Sequence, residues 1–405
     1  MSNMKRSDGT SPLARAAALG VALLSLAWGQ QALAGPREQA RRMYERLTGT
    51  SPSEDLLDDL QAMLGAEPTS AASREATARF IIDPDQPHSK NFYSVTLKNW
   101  ASPWTNRDQS VFAPLNDYSA TVVGLVKDDL DFRRVLWDDV VYVGATGGNI
   151  RPYSATSNQH YDDLESNNVD LRTLQLTAQS SLNGLPAAAT AGVITSRAGA
   201  EAFFIDGTNR AMFRFTMLNH LCRDLEQVHD TSLPPDRIRQ DVTRSPGGDS
   251  SVFNNNCIGC HNVMDSMAQA FAFYDFDETV QRLVYTPGQV QPKYLINSEN
   301  FKPGYVTTDD TWDNRMRLPG RNDVNVLGWG PGTGHGNGAK SLGQELANSG
   351  AFAQCQAEKA FRKVCFRSPS SSAEAEAVRQ IGVGFNADGS MQRVFARVAA
   401  QCAGQ

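Results

Sequence analysis

Apolar residues recur every three to four positions between residues 38 and 82, and this spacing predicts three short helices. Gly49 follows the last apolar position of the first helix and should end it. Ser53 and Ser70 precede the next two periodic stretches, where a serine side chain caps the first free N–H groups of a helix. The chain therefore opens with a small helical unit.

The same spacing returns in the second half of the chain. It predicts helices that begin near Ser196, Thr208, Ser371 and Ser390, and Ser341 with Gln344 has the pattern of a capping box. Residues 144–190 and 285–340 are instead rich in Gly, Pro, Ser, Thr, Asn and Asp, which is typical of irregular connections. Short strands are expected near 294–296 and 305–307. The fold prediction is a mainly α protein with long irregular loops, made of a helical domain at residues 35–190 and a second domain at 191–405.

The first 34 residues have the order of a secretory signal peptide. A basic start is followed by an apolar run from Ala16 to Trp28 and by small residues that end at Ala34, which is typical of a cleavage site. The apolar run is too short to span a bilayer comfortably, and no later segment is longer or more apolar. We therefore expect a periplasmic or secreted protein that begins near Gly35, with no membrane span in the mature chain.

The charge of the chain argues against two classes of partner. The full chain has a net charge of −6, and removing a leader with a net charge of +2 leaves −8. A mildly acidic exported protein is a poor binder of nucleic acid or of anionic lipid. An acidic surface instead suits a basic partner protein.

The most specific motif is the run Cys257-Ile-Gly-Cys-His261, which is typical of a covalent attachment site for a c-type haem. Positions i, i+3 and i+4 lie on one face of a helix, so both thiols and the imidazole are directed to the same side. The thiols of Cys257 and Cys260 can then reach the two vinyl groups, while His261 approaches the iron. Haem is attached to such sites outside the bacterial cytoplasm, which agrees with the leader. We expect one covalent haem c on a helix that runs from Cys257 towards Phe271.

Two other interpretations of this motif stay open. Cys257 and Cys260 have the spacing of a local redox disulfide, and together with His261 they have the donor types of a zinc site. A structural zinc site usually needs a second ligand pair at similar spacing, and no such pair follows in the sequence. Four further cysteines allow up to two disulfides in an oxidising compartment, with the pairing left open: Cys222, Cys355, Cys365 and Cys402.

Several stretches resemble the cytochrome-like domains of unknown function that occur in exported planctomycete and proteobacterial proteins. They are Ala191-Gly-Val-Ile-Thr195, Pro234-Pro235, the haem motif with Met264-Asp265, and Phe276-Asp277. The closing part, with Ser341-Leu-Gly343, Phe352, Cys355 and residues 361–367, is similar to the companion C-terminal domain that follows them. This chain has Ser266 and Ala268 where the family often has Pro and Gly. The resemblance implies an exported protein with a cytochrome c-like haem domain inside a larger helical chain, and no particular reaction.

The second axial ligand of the iron would separate a carrier from a catalyst. A methionine opposite His261 gives a closed iron suited to electron transfer, whereas an open position admits peroxide or oxygen. Met264 and Met267 lie on the same helix as His261 and should not reach the opposite side. Met316 is the first candidate because it lies in the loop-rich segment after that helix, and His335 is the second. The remaining candidates are Met212, Met217 and Met391.

Three functions are compatible with this sequence. The first is an exported electron carrier with one haem c, although a bare carrier needs far fewer residues than this chain has. The second is a haem-dependent peroxidase or oxygenase, in which residues 285–340 help to build a substrate pocket. The third is a structural subunit of an exported redox complex. We predict electron transfer as the function, with catalysis as the alternative.

Overall fold

The computed structural model describes residues 34–205, 207–295, 304–318 and 327–403. The predicted signal peptide lies outside these ranges, apart from Ala34. Within them the protein is mainly helical, as predicted, with sixteen α-helices and six strands of three or four residues. None of the described helices combines the length and the apolar character that crossing a bilayer requires.

The first half of the chain holds eight of these helices. The predicted ends of the first three are confirmed: Gly49 is left-handed at the end of the first, and the hydroxyls of Ser53 and Ser70 accept N–H groups at the starts of the next two. The helices are α1 (Pro36–Thr48), α2 (Glu54–Leu64), α3 (Ala71–Ile82), α4 (Lys98–Ala101), α5 (Asp117–Lys127), α6 (Gln159–Ser166), α7 (Ser180–Asn183) and α8 (Arg197–Phe203).

The second half holds the other eight, and the Cys257–His261 motif begins where the third of them meets the fourth. A π-helical turn at Met217–Leu221 extends the first of these eight helices, and a 3₁₀ turn at Gln269–Phe271 extends the fourth. The helices are α9 (Arg210–Thr216), α10 (Leu225–Val228), α11 (Ser250–Asn256), α12 (Ile258–Ala268), α13 (Gly338–Ala347), α14 (Gly350–Cys365), α15 (Ser372–Asp388) and α16 (Met391–Cys402).

The strands form three antiparallel pairs. Strand β1 (Val141–Val143) pairs with β2 (Gln175–Thr177), and β3 (Tyr274–Asp277) pairs with β4 (Arg282–Tyr285). Strand β5 (Thr311–Asp313) pairs with β6 (His335–Asn337), so that Asp313 lies opposite His335. Each pair joins segments that flank a helix or a loop, and none belongs to a larger sheet within the described ranges.

One hydrophobic cluster extends from α1 to α16. Helix α16 packs on α3 and α14, and the Arg46 guanidinium donates to the carbonyl of Cys402, so the first and last helices lie together. This cluster crosses the boundary predicted at residue 190. Two disulfides brace the second half, Cys222–Cys355 and Cys365–Cys402, which confirms that the four cysteines outside the motif pair with one another.

Two local predictions were wrong. Ser341 does not cap a helix: α13 already begins at Gly338, and the Ser341 hydroxyl donates to the carbonyl of Asn337 inside the first turns. The strands expected near 294–296 and 305–307 are not formed by residues 294–295 and 305–307, the part of them that the structure describes. A 3₁₀ turn occupies Pro292–Tyr294, and Tyr305 forms only an isolated bridge with Arg239.

Candidate functional site

The haem motif forms the junction between α11 and α12. The Cys257 N–H donates to the carbonyl of Phe253 at 2.9 Å, and the Cys257 carbonyl accepts from the N–H of His261 at 3.2 Å. The motif is therefore one hydrogen-bonded helical turn, as the i, i+3, i+4 spacing predicts. Its side chains start from one face of that turn.

Both thiols of the motif are free and half-buried, in contrast to the four cysteines that form disulfides. Burial raises the pKa of the Cys260 thiol, and the nearby carboxylates of Glu226 and Asp224 raise it further. This environment favours the neutral thiol over the thiolate. The Cys260 thiol thus remains available for covalent attachment without being a strongly activated nucleophile.

The imidazole of His261 is held by a carboxylate one helical turn further along α12. Its Nδ1 lies 3.2 Å from each oxygen of Asp265, and 19% of the His261 side chain is exposed while none of Asp265 is. An ionised carboxylate can only accept a hydrogen bond, so Nδ1 carries the hydrogen. In a neutral ring Nε2 then carries the lone pair, and no described residue forms a hydrogen bond to it. This is the tautomer that binds a metal through Nε2.

Asp265 is ionised because two arginines surround it. The Arg210 guanidinium donates to both carboxylate oxygens, at 2.7 and 3.0 Å, and also to Asp241. Burial alone would raise the pKa of Asp265, but the charges of Arg210 and Arg239 and the hydrogen bond from His261 hold that pKa well below its usual range. Arg239 is itself fully buried, with its guanidinium over the ring of Tyr294. The imidazole of His261 therefore faces a buried cluster of two carboxylates and two guanidinium groups, in which the ionised form of Asp265 is favoured.

The loop before this helix fits closely against the motif. A side chain at Gly259 would place its Cβ 3.1 Å from the His229 ring and 3.2 Å from the Asp230 nitrogen. The glycine therefore allows the loop to approach, and the Asp230 N–H donates to the Gly259 carbonyl at 3.0 Å. Asn262 donates to two carbonyls of the same loop. These contacts fix the back of the helix, away from the free side chains.

The candidates for the second axial ligand lie in different surroundings. Met316 is fully buried on a 3₁₀ turn that packs against α12, and His335 is exposed on β6, whose partner strand β5 also packs against α12. Met391 lies on α16, which packs on α3 and α14. Met316 as an iron ligand stays a prediction. Three other methionines, Met212, Met217 and Met267, are buried in the main core.

The residues around His261 were largely missed in the sequence. Asp265 follows His261 by four positions, a spacing that places two side chains on one helical face and could have indicated the contact. Arg210 and Asp241 lie 55 and 24 residues from Asp265, and no local pattern connects them. They become part of the site only through the packing of α9 against α12.

Within the described ranges, no group of three or more His, Cys, Asp or Glu side chains is arranged to hold a bare metal ion. Cys257, Cys260 and His261 accordingly do not converge on one point. Comparison of the chain with protein-family models, with curated proteins and with solved structures finds no match. The functional argument therefore depends on the chemistry of the motif and its surroundings.

Proposed function

We propose that this protein is an exported c-type cytochrome with one covalent haem c on Cys257, Cys260 and His261, and that it transfers electrons to or from a redox partner. The observation that carries the proposal is the pairing of the His261 Nδ1–H with buried Asp265. It leaves Nε2 free on the same helical turn as two unpaired thiols. Metal-binding histidines commonly have such a partner on the other ring nitrogen.

The donor set fits haem c better than the other two interpretations of the motif. A redox disulfide would use only Cys257 and Cys260, and would leave the pairing of His261 with buried Asp265 without a role. A zinc site needs its ligands around one point, which these side chains do not provide among the described residues. A planar macrocycle instead takes the thiols at its edge and the imidazole at its centre. When bound, haem c supplies a metal that exchanges single electrons.

The protein's own contribution is to orient and charge the imidazole. Asp265 fixes the ring in the tautomer that binds through Nε2, and its charge increases the electron donation of that nitrogen. Arg210 keeps the carboxylate ionised and in place by two hydrogen bonds. We therefore expect the reduction potential to depend on Asp265 although this side chain does not touch the metal.

The test is the optical spectrum of the exported protein, produced with its leader in a bacterium that attaches haem c. We expect the spectrum of covalent haem in the wild type and its loss in the Cys257→Ala/Cys260→Ala double variant. His229→Ala is the matched control, since this histidine contacts the motif at Gly259 but is not part of it. A wild-type protein without the haem spectrum, or a double variant that retains covalent haem, would refute the proposal.

A haem-dependent peroxidase or oxygenase is the second candidate. The observation that favours it is the same carboxylate, because strong electron donation from the protein ligand assists O–O bond cleavage in haem enzymes. Carbon monoxide and peroxide, added to the reduced and oxidised protein respectively, separate the two functions. An unchanged low-spin spectrum supports the carrier, and a high-spin spectrum that shifts with either ligand supports the enzyme.

A further inference from the structure

A cleft of about 850 Å³ opens between residues 222–227 and the second half of α14, and none of the motif residues lines it. Its two sides differ in charge. Residues 222–227 contribute one arginine and two carboxylates to the lining, whereas residues 358–363 contribute three cations and one carboxylate. The cleft is therefore acidic on one side and basic on the other.

Most of these charges already have partners within the chain. Asp224 pairs with Arg214 at 2.6 Å, and Arg362 pairs with Glu358 at 3.5 Å. Two further cations of the lining donate to backbone carbonyls: Arg223 and Lys359. These contacts leave one carboxylate and one ammonium group of the lining for a partner from outside the chain.

Glu226 and Lys363 are these two groups. They lie on opposite sides of the cleft, and neither side chain forms an ion pair or a hydrogen bond with a described residue. Glu226 is exposed, whereas Lys363 is half-buried, and burial lowers the pKa of its amine. A carboxylate from another molecule would stabilise the protonated amine, because it replaces part of the lost hydration.

The rim of the cleft carries the most exposed large apolar side chain of the described residues. Phe112 is 93% exposed, and its neighbour Val111, which lines the cleft, is 46% exposed. The loop that carries them is fixed: Gln109 donates to the side chain of Asn219 at 3.0 Å, and the Phe112 N–H donates to the Ser110 hydroxyl at 3.2 Å. A fixed and exposed aromatic side chain is typical of an anchor in a protein interface.

We propose that two copies of this chain associate through this cleft about a two-fold axis, so that Glu226 of each copy pairs with Lys363 of the other. A two-fold contact uses the same surface twice, and a surface with one acidic and one basic side can be complementary to itself. A strongly acidic or strongly basic partner would instead be repelled by one of the two sides. Phe112 and Val111 of each copy become buried at the same interface. The inference goes beyond the proposed function and does not depend on haem.

The test is sedimentation equilibrium of the exported full-length protein over a range of concentrations. We expect a reversible monomer–dimer equilibrium whose dissociation constant rises with salt, because exposed ion pairs are screened. Glu226→Lys or Lys363→Glu alone places like charges opposite each other twice, and should raise the dissociation constant by about a hundredfold or more. The double variant Glu226→Lys/Lys363→Glu restores opposite charges, so its dissociation constant should return to within about tenfold of the wild-type value.

Phe112→Ser should raise the dissociation constant about thirtyfold, which is the effect of removing an anchor from a protein interface. Glu278→Lys and Val280→Ser are the matched controls and should dimerise like the wild type. Both residues are exposed in the turn between β3 and β4, outside the cleft. Circular dichroism of each variant checks that the fold is kept.

A wild-type protein that sediments as a single chain at every concentration would overturn the proposal. A dimer that Glu226→Lys leaves unchanged would do the same, as would a double variant that associates no better than the single ones. The haem-free variant Cys257→Ala/Cys260→Ala should also dimerise, so this test can succeed even if the proposed function fails. Dimers of the haem-loaded protein alone would assign the contact to the haem and overturn the proposal.

Discussion

The carboxy-terminal helices and the segment around α12 are stabilised in different ways. Helices α14, α15 and α16 contain 16, 17 and 12 residues, and apolar faces hold them against one another and against α3. Serines cap the starts of all three, and the Cys365–Cys402 disulfide joins two of them. In this part of the chain, buried apolar contact area and helix capping stabilise the structure.

The segment around α12 has shorter helices, 3₁₀ turns and strands of three or four residues. Its buried centre is ionic: Asp265 contacts Arg210 and His261, and Arg210 also forms an ion pair with Asp241. Two thiols and one imidazole nitrogen remain free at its surface. Apolar packing therefore supports the carboxy-terminal helices, whereas a buried charge network orients the His261 ring.

The largest expected effect is in the apolar part. Phe395 on α16 is fully buried and meets the rings of Phe92 and Trp100 edge-on, with centroids 5.2 Å away in each case. Phe395→Ala should lower the free energy of unfolding by about 3–5 kcal/mol, because it removes the transfer term and leaves a cavity. Chemical denaturation measures this loss. A change of less than about 1 kcal/mol would contradict the assignment of stability to this packing.

The second prediction concerns the charge network around α12, where one substitution should change both stability and electron transfer. Asp265→Asn keeps the shape of the side chain but leaves the positive charges of Arg210 and Arg239 less compensated. We expect a loss of about 3 kcal/mol, as for other broken buried ion pairs. The reduction potential of the haem-loaded protein should rise by roughly 60–120 mV, which corresponds to the 10–100-fold effect of such partners.

Asp241→Asn is the matched control for this change. Asp241 also contacts Arg210 but lies outside hydrogen-bonding distance of His261. This variant should lose stability without a comparable change in potential. Equal potentials in Asp265→Asn and the wild type would show that the carboxylate acts only on folding.

The two disulfides should contribute unequally. Cys222–Cys355 closes a sequence separation of 133 residues, and Cys365–Cys402 one of 37. In the chain-entropy model the longer loop is worth about 1 kcal/mol more, because the stabilisation grows with the logarithm of loop length. Denaturation of the Cys222→Ala/Cys355→Ala and Cys365→Ala/Cys402→Ala variants tests this order. The reverse order would indicate that effects on the native state outweigh loop closure.

The last expected effect concerns pH. His220 is buried between Tyr118 and Phe352, and burial lowers its pKa well below 6.5. Below pH 6.5 the unfolded chain therefore binds a proton that the folded protein does not, so stability falls as the pH decreases. The slope from this group is at most about 1.4 kcal/mol per pH unit. His220→Gln should reduce the difference in unfolding free energy between pH 6.5 and pH 5, and an unchanged difference would contradict this origin.

Helix ends were predictable where one residue determines them. Ser53, Ser371 and Ser390 act as caps because their hydroxyls accept N–H groups three positions later, a purely local event. Ser341 has the same local pattern, but its hydroxyl accepts the indole N–H of Trp312. Residues 311–313 pair with 335–337 across more than twenty positions, so neither this pairing nor its effect on Ser341 appears in a short window.

The candidate site also combines residues that a local pattern indicates with residues that only tertiary packing brings together. The spacing of Cys257, Cys260 and His261 within one helical turn is a local signal that the sequence alone displays, and their role in holding a haem stays a prediction. The charge network has no such signal, because Arg210 reaches Asp265 only after α9 has packed against α12. Sequence spacing thus indicates the candidate site, and tertiary packing determines which charged side chains surround it.

The most direct test of the central claim is the intact mass of the exported protein after denaturation. We predict the mass of the chain from about Gly35 plus one haem, with the increment absent from the Cys257→Ala/Cys260→Ala variant. His229→Ala should keep the increment. A wild-type mass equal to that of the bare chain, or lower by the two hydrogens of a Cys257–Cys260 disulfide, would contradict the account.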